Sequence, residues 1–443
     1  MNVNRKTVTR LLRIYWIILL VTSEILVYRW HISGCKWPKR PSNQHEATTP
    51  AHVAIVADPQ IVDHYSYDQT GIILRLTEFF TDIYLRKSYR FLQTLKQPQK
   101  IIFLGDLMDG GREWTDKQWV REFHRYQSIF ANRNPEKTQI YNMAGNHDIG
   151  IGNTVVDHAL DRFHKYVGPT NQILDIADHQ VILLDTLTLE NDDPNKSRAS
   201  RQLLDHIAKK SMPDNKQQPR VLFTHVPLWR PPQTYCGKER QSKHGYLLNR
   251  RGYQFRDQLF QNTTQHILQT VQPTVIFSGD DHDSCTVEHE VPGYANHSNS
   301  NSNKATEYTI GAFGWASGVP IASYALLTLY PRTETMEPTL MVQRCFLPYQ
   351  LGIYKVYLAS LAASMMAIAV FCYRGSHTWR QPGLREQRRE DQAVCLENGQ
   401  NTAAGLWSFS RRAFVRYFAR IFFDVLVAGV PTYVLCLLFF YVF

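Results

Sequence analysis

The chain has 443 residues and a formal net charge of +10, a length that accommodates two or three domains. Its basic residues do not form a patch on one domain, which argues against nucleic acid as a partner. Many of them crowd the N-terminus and the segment 374–420, next to apolar stretches. This distribution is typical of a membrane protein whose loop charges set its orientation.

The first predicted element is an apolar helix at 14–28, inside a segment 1–32 that we interpret as a cytosolic N-terminus followed by transmembrane helix 1. It is short and carries Glu24, so an uncleaved signal-like segment or a buried helix is the alternative. No small-residue cleavage site follows it, because Arg29 and bulky residues come next. We therefore expect the helix to be retained. Residues 33–51 are polar and contain proline, which predicts a stalk.

Alternating strand-like and helix-like segments predict an α/β domain over residues 52–348. Apolar residues recur at helical spacing in 70–97 and 115–131. The end of the domain is rich in strands, which we predict at 308–313, 324–330 and 339–345. The expected architecture is a sandwich of two mixed sheets packed face to face, with helices outside.

Five short polar signatures follow five of the predicted strands. Strand ends converge at one edge of a sheet, so these carboxylate, amide and imidazole groups should lie together and bind divalent cations. A single signature of this kind is usually only a turn, but five in one order predict a two-metal phosphoesterase site. They are Asp58-Pro59-Gln60, Gly105-Asp106-Leu107-Met108-Asp109, Gly145-Asn146-His147-Asp148, Thr224-His225-Val226-Pro227 and Gly279-Asp280-Asp281-His282.

These signatures resemble those of the calcineurin-like metallophosphoesterase superfamily, over roughly residues 52 to 330. The resemblance implies that Asp58, Gln60 and His282 bind a first metal, and that Asp106 bridges two metals. It also implies Asn146, His225 and Asp280 as ligands of the second. His147 would assist the leaving oxygen, oriented by Asp148.

Two positions depart from the superfamily pattern. Gln60 replaces the usual His, and Asp280 replaces the first His of G-H-x-H. The resulting site is rich in oxygen ligands, which favours Mn²⁺ or Mg²⁺ over Zn²⁺, and we expect two Mn²⁺ ions. Asp63 and His64 are candidate extra ligands that would compensate for Gln60. A decayed site is the rival interpretation.

The pairing of D-P-Q with G-D-D-H-D also resembles one branch of the superfamily. Its members are membrane-anchored phosphodiesterases that trim ethanolamine phosphate from mannose in glycosylphosphatidylinositol (GPI) anchors. The resemblance implies GPI-anchored proteins or the GPI glycolipid as substrate, in a membrane of the early secretory pathway. The alternatives are a phosphatase acting on phosphoproteins or other phospholipids, and a non-catalytic transport factor for GPI-linked cargo.

The remaining elements predict two further transmembrane helices, at 349–373 and 421–443, separated by a basic loop at 374–420. The positive-inside rule places this loop, with Cys395, in the cytosol and the phosphoesterase domain in the lumen. We expect a multi-pass protein of the endoplasmic reticulum, with the Golgi as the alternative. Three glycosylation sequons agree with a lumenal domain: Asn195, Asn262 and Asn296.

The irregular segment 228–253 follows a predicted metal ligand directly. Arg230 and Arg240 within it are candidate contacts for an anionic phosphodiester, although an ordinary surface loop is equally compatible. Cys236 and Cys285 both lie near predicted metal ligands, where an oxidising compartment would allow either a disulfide or two free thiols.

Overall fold

A computed structural model describes residues 5–40, 49–67, 69–209, 218–292, 304–333, 337–378 and 402–442. The predicted sequon at Asn296, Cys395 and residues 379–401 of the predicted cytosolic loop lie outside the described residues. The chain divides into two compact units. One is Tyr28–Tyr349, and the other combines Met1–Val27 with Gln350–Phe443.

The unit Tyr28–Tyr349 is built on two mixed sheets and a small ribbon. One sheet has the order β13-β12-β1-β2-β3, the other has the order β10-β11-β9-β6-β5-β4, and β7 pairs with β8. The predicted α/β architecture is therefore confirmed. The strands are β1 Ala51–Val56, β2 Lys100–Phe103, β3 Gln139–Asn142, β4 Gln172–Ile176, β5 His179–Leu183, β6 Arg220–Phe223, β7 Arg251–Gly252, β8 Phe255–Arg256, β9 Val275–Ser278, β10 Cys285–Glu290, β11 Lys304–Thr309, β12 Ser323–Tyr330 and β13 Thr339–Phe346.

Both sheets contribute side chains to a single hydrophobic core. Strands β2, β6 and β9 run parallel to both of their neighbours and are almost entirely buried, which explains why they read as nearly continuous apolar runs. Their inner faces meet in one cluster, so the sheets pack face to face. This cluster includes Val53, Ile55, Ile102, Val221, Phe223, Phe277, Ala325 and Leu327.

Helices connect the strands. Those predicted at 70–97 and 115–131 are confirmed as α4 and α5, and a π-helical turn, Leu92–Lys96, extends α4. The helices of this unit are α2 Val27–Gly34, α3 His64–Tyr67, α4 Gly71–Phe91, α5 Asp116–Ile129, α6 Asn146–Ile149, α7 Asp157–Tyr166, α8 Thr186–Leu189, α9 Pro194–Lys209 and α10 Gln261–Val271, with a 3-10 turn at Gly152–Thr154.

The strand predicted at 308–313 is wrong in its bounds, because this stretch passes from one sheet to the other. Its first residues belong to β11, which pairs with β9. Ala312 then forms a bridge with Ala57, just beyond β1 in the other sheet. One apolar run therefore contributes residues to both sheets. The β4–β5 hairpin was not predicted, since its turn residues, Ala177 and Asp178, adopt positive φ without the usual Asn-Gly signal.

The second unit consists of apolar helices. Within the described residues, three helices are long and apolar enough to cross a membrane: Arg5–Gly34, Gln350–Tyr373 and Phe414–Tyr441. The first comprises α1 Arg5–Val21 and a π-helical turn of this unit, and it continues into α2 of the other unit; the remaining two lie in α11 Gln350–Thr378 and α12 Thr402–Val442. Glu24, the residue that made helix 1 doubtful, is buried and accepts a hydrogen bond from the Tyr357 hydroxyl. Its carboxyl group is thus partnered within the helical unit.

Two disulfides stabilise the unit Tyr28–Tyr349. Cys236 is bonded to Cys285, which answers the question left open by the sequence. Cys35 is bonded to Cys345, a pair not predicted, across 310 residues of sequence. This second disulfide joins the stalk to the last strand of the domain, so both chain ends of the domain are fixed to each other.

A buried ion cluster joins Arg230 to side chains of strands β10 and β11. The Arg230 guanidinium lies 2.9 Å from Glu307, and Nε2 of His289 lies 2.6 Å from the same carboxylate. Burial by itself would raise the pKa of Glu307, but Arg230 and His289 outweigh it and lower this pKa to about 2. Glu307 is therefore ionised and holds Arg230 in the interior.

We expect Glu307→Gln to lower the free energy of unfolding by about 3–5 kcal/mol, because it leaves Arg230 buried without its counter-charge. Since the pKa of Glu307 is lower in the folded than in the unfolded chain, the advantage of the wild type is complete above about pH 4.5 and fades toward pH 2. Urea unfolding of the wild type and of Glu307→Gln over this pH range measures the difference in the free energy of unfolding. An equal difference at all pH values would contradict the assigned ion cluster.

Candidate metal centre

The five polar signatures meet at the ends of the central strands, as their positions in the sequence predict. Five of the predicted ligands adopt a backbone conformation with positive φ, which residues other than glycine rarely use. This sharp local bend turns each side chain back across the strand ends. The residues and angles are Asp58 (45°), Gln60 (27°), Asp106 (51°), Asp280 (63°) and His282 (65°).

Two glycines allow the signatures to approach each other. A Cβ atom on Gly145 would lie 2.0 Å from Oδ1 of Asp106, and one on Gly105 would lie 2.7 Å from Nδ1 of His225. Gly105 also has a φ of +105°, which favours glycine. Any side chain at either position would push predicted ligands apart.

His225 is at the centre of the site. Its Nδ1 atom lies 2.8 Å from the carbonyl oxygen of Leu104, so Nδ1 donates and Nε2 is directed at the other groups. Three oxygens surround Nε2: Oδ1 of Asn146 at 3.0 Å, Oδ1 of Asp106 at 3.3 Å and Oδ1 of Asp280 at 3.5 Å. Burial opposes a charged ring, but Asp106, Asp280 and Asp58 outweigh it and raise the pKa of His225 to about 10. The position of Nε2 therefore strongly favours a cation.

Asp58 and Asp106 complete a compact donor set with His225. One potential ligand atom from each of these buried residues lies within 4.8 Å of the others. Oδ1 of Asp58 accepts a hydrogen bond from the Asp280 backbone. Its Oδ2 atom is buried and has no hydrogen-bond partner among the residues that the structure describes. An unsatisfied buried carboxylate oxygen facing further donors fits a divalent cation.

Gln60 and His282 lie beside this donor set. The Gln60 amide nitrogen donates to Oδ2 of Asp106 at 2.8 Å, so its amide must rotate to offer oxygen to a metal. Nδ1 of His282 lies 3.0 Å from the carbonyl oxygen of Ser317, which leaves Nε2 available. Asp58, Gln60 and His282 line a cavity of about 280 Å³, together with Asp109 and Trp315.

Asp63 and His64 are not placed as additional ligands. The two Asp63 oxygens accept hydrogen bonds from the backbone N–H groups of Tyr65 and Gly110, so its carboxylate holds the loop. His64 contacts Gln118 instead.

His147 is oriented by Asp109, and the prediction that Asp148 orients it is wrong. Nδ1 of His147 lies 2.7 Å from the backbone carbonyl oxygen of Asp109 and 2.9 Å from Oδ1 of its side chain. The Asp148 carboxylate instead accepts hydrogen bonds from the backbone of Leu107 and Gly145. Burial lowers the pKa of His147, but Asp106 and Asp109 outweigh burial and raise this pKa to about 9. Asp109 stands in the predicted G-D-x-x-D signature, and its role could have been inferred there.

The two arginines predicted to contact substrate are both engaged elsewhere. Arg230 is 2% exposed and forms the ion pair with Glu307. Arg240 forms an ion pair with Asp281 at 2.5 Å, while Asp283 accepts backbone hydrogen bonds from Gln241 and Ser242. Arg230 therefore fixes the 228–253 segment to β11, whereas Arg240 fixes it to the signature that contains Asp280, and neither is a free cation.

The ribbon β7–β8 supplies a contact that sequence analysis missed. Gln254, in its turn, is buried and has a φ of 58°. Its carbonyl oxygen accepts a hydrogen bond from Nδ2 of Asn146 at 2.9 Å. Because Nδ2 is used in this way, Oδ1 of Asn146 is the atom that faces His225. The Gln254 side chain is in turn bonded to Arg112, whose Nη1 donates to the Asn146 carbonyl.

Comparison with known proteins agrees with this geometry. Residues 51–284 match the family model described as calcineurin-like phosphoesterase. The chain belongs to the calcineurin-like phosphoesterase family. The domain and its donor set imply divalent metal ions as cofactors and a phosphoesterase as the activity.

Several curated relatives cover most of the chain. Cell division control protein 1 of Saccharomyces cerevisiae is 36% identical over 368 residues, which are 80% of this chain and 72% of the relative. Metallophosphoesterase 1 of Xenopus laevis is 28% identical over 319 residues, 66% of this chain and 73% of the relative. The Metallophosphoesterase 1 homolog of Caenorhabditis elegans is 22% identical over 305 residues, 68% and 76% respectively. The similarity therefore extends beyond the matched domain.

We expect Asp109→Asn to lower kcat roughly 10²-fold. The variant lacks the carboxylate charge that helps to orient the His147 ring and to keep a proton on it. The metal content should not change, since Asp109 is outside the predicted ligand set. Kinetics with a soluble phosphodiester, together with metal analysis, test both statements. Asp148→Asn is the matched control and should mainly lower the melting temperature. A greater loss of kcat in the control would return the orienting role to Asp148.

We expect Gln254→Ala to weaken binding of one of two divalent cations about 10–100-fold. The alanine loses the bond to Arg112, and with it the anchor of the carbonyl that orients Asn146. Calorimetric titration with Mn²⁺ measures this. Gln233→Ala is the matched control, since Gln233 also has positive φ (62°) but is exposed. Equal affinity in both variants would contradict the role of Gln254, and Gln254→Glu should preserve binding by keeping an acceptor for Arg112.

Proposed function

We propose that this phosphoesterase is a two-metal phosphodiesterase that removes ethanolamine phosphate from the mannose of GPI glycans. The convergence of Asn146, Asp106 and Asp280 oxygens on Nε2 of His225 carries the metal-dependent part of the proposal, and the resemblance to the superfamily supports a second metal. The D-P-Q and G-D-D-H-D signatures, which resemble the GPI-trimming branch, support the substrate. Three helices apolar enough to cross a membrane support a lipid-linked substrate.

Each ligand has a defined task in this proposal. Asn146, His225 and Asp280 would hold one cation, Asp58, Gln60 and His282 would hold the other, and Asp106 would be a ligand shared by both. Two divalent cations supply Lewis-acid polarisation of the phosphate and activation of a water. The oxygen-rich donor set favours Mn²⁺.

His147 acts on the leaving group. Asp106 and Asp109 raise the pKa of His147 to about 9, and Oδ1 of Asp109 lies 2.9 Å from its Nδ1. The ring is therefore prepared to donate a proton to the mannose oxygen as the phosphorus–oxygen bond breaks. Asp109 accepts from Nδ1, so the proton is donated from Nε2.

We place the protein in the membrane of the endoplasmic reticulum, with the Golgi as the alternative, and its phosphoesterase domain in the lumen. The sequon residues Asn195 and Asn262 are exposed, as acceptor sites must be. The two disulfides are typical of an oxidising compartment. The basic residues of the 374–420 segment favour the cytosolic side for that segment.

Cells lacking the protein test this proposal. Their GPI glycans should retain an additional ethanolamine phosphate on mannose, measured by mass spectrometry. Expression of the wild type should remove it, whereas Asp106→Ala should not, because loss of the shared carboxylate disrupts both metal positions. His147→Ala should bind metal normally and still fail to restore trimming.

The alternative functions give different results. If Asp106→Ala restored normal GPI glycans in the deficient cells, the protein would be a non-catalytic transport factor. Unchanged glycans in the deficient cells, combined with hydrolysis of a soluble phosphate ester by the purified protein, would indicate a phosphoesterase with another substrate.

A further inference from the structure

Helix α4 carries an exposed apolar surface at its N-terminal end. Ile72 is 74% exposed, Ile73 is 61% exposed and Leu76 is 51% exposed. We call these three residues the α4 apolar surface. Large aliphatic side chains grouped in this way on an otherwise well-packed domain indicate a binding surface.

The other half of the same helix packs against the points where the chain enters two apolar spans. The ring of Tyr84 contacts that of Tyr28 with centroids 5.6 Å apart, and Lys87 Nζ lies 5.2 Å above the Tyr28 ring. Tyr28 is part of the span Arg5–Gly34. The Tyr84 hydroxyl donates to the carbonyl of Pro348, two residues before the span Gln350–Tyr373.

The exposed and the packed halves of α4 share one side of the helix. Leu76 and Lys87 are eleven residues apart, or roughly three turns, so their side chains project in nearly the same direction. The α4 apolar surface therefore continues the side of the helix that contacts Tyr28. Trp30, two residues after Tyr28, is 77% exposed, as expected of an aromatic residue at a membrane–water interface.

We propose that the α4 apolar surface inserts into the phospholipid bilayer that the apolar helices cross. This surface lies on the side of α4 that contacts Tyr28, and the same helix is bonded to Pro348, two residues before an apolar span. This position favours lipid over a peptide or a second copy of the chain. The inference rests on the membrane placement in the proposed function. It adds that the phosphoesterase domain itself lies on the bilayer, rather than only being tethered to it.

This placement connects the membrane with the metal centre. Thr81 and Leu85, on another side of α4, line the cavity that contains Asp58 and His282. One helix thus contacts lipid on one side and forms a wall of the cavity on another. A phosphodiester whose lipid remains in the bilayer can then reach the metal centre without leaving the membrane.

Photocrosslinking tests the contact directly. Benzoylphenylalanine replaces Leu76 in the full-length chain, which is reconstituted into phosphatidylcholine vesicles containing an alkyne-tagged phosphatidylcholine. The matched control carries the same group in place of Tyr166, which has similar exposure (43%) at the end of α7. We expect several-fold more lipid adduct from position 76. Equal lipid labelling at both positions, or a protein crosslink from position 76, would overturn the proposal.

A double substitution tests the consequence for turnover. Ile72→Ser with Leu76→Ser should lower the rate on a GPI glycolipid in vesicles roughly tenfold relative to the rate on soluble bis-(p-nitrophenyl) phosphate. An unchanged ratio would overturn the proposed connection with the metal centre. If the wild type hydrolyses neither substrate, the proposed function fails, whereas the crosslinking result still decides the lipid contact.

Discussion

The burial of several carboxylates around one imidazole is the constraint on which the catalytic half of this molecule depends. Asp58 and Asp106 are at most 1% exposed, and Asp280 reaches the same imidazole nitrogen. Burial raises the pKa of Asp58 to about 7 despite the opposing effect of His282 and His225, and the Asp106 and Asp280 carboxylates add to the rise, which shows how unfavourable a further negative charge is there. Cations relieve this repulsion, so metal binding and folding of the strand ends stabilise each other.

The backbone conformation of the predicted ligands is unfavourable by itself and is stabilised by the surrounding structure. A residue other than glycine in the left-handed region costs about 1–3 kcal/mol, and five predicted ligands adopt positive φ. Hydrogen bonds between the signatures hold them, such as the Gln60 N–H to the Asp106 carbonyl at 2.9 Å. The apolar core of the two sheets provides the stability that this arrangement requires.

The sequence was sufficient to predict the parts of the site that lie directly after strands. Asp58, Asp106, Asn146 and His225 follow apolar runs, and a strand determines where its last residue lies. The partners of these residues depend on contacts distant in sequence, which spacing does not reveal. Gln254 reaches Asn146 across 108 residues, and Glu307 on β11 neutralises Arg230. An arginine in a loop looks like a substrate contact until its buried counter-charge is known.

The choice between Asp109 and Asp148 shows a similar limit. Both are acidic residues within signature segments, and adjacency in sequence favoured Asp148 as the partner of His147. On the short helix α6, however, Asp148 turns inward and accepts backbone N–H groups. Side-chain direction within one helical turn decided the outcome.

The Cys35–Cys345 disulfide has a mechanical consequence. It closes a covalent ring that contains nearly the whole phosphoesterase domain, with the apolar helices outside the ring on both sides. Tension between those helices would pass through the disulfide and bypass the sheets. A protease that cut an exposed loop within the ring would leave each fragment attached to an apolar helix, and the disulfide would keep the two fragments attached to each other. The metal centre can therefore survive a break in the polypeptide chain that would separate an unlinked domain into two pieces.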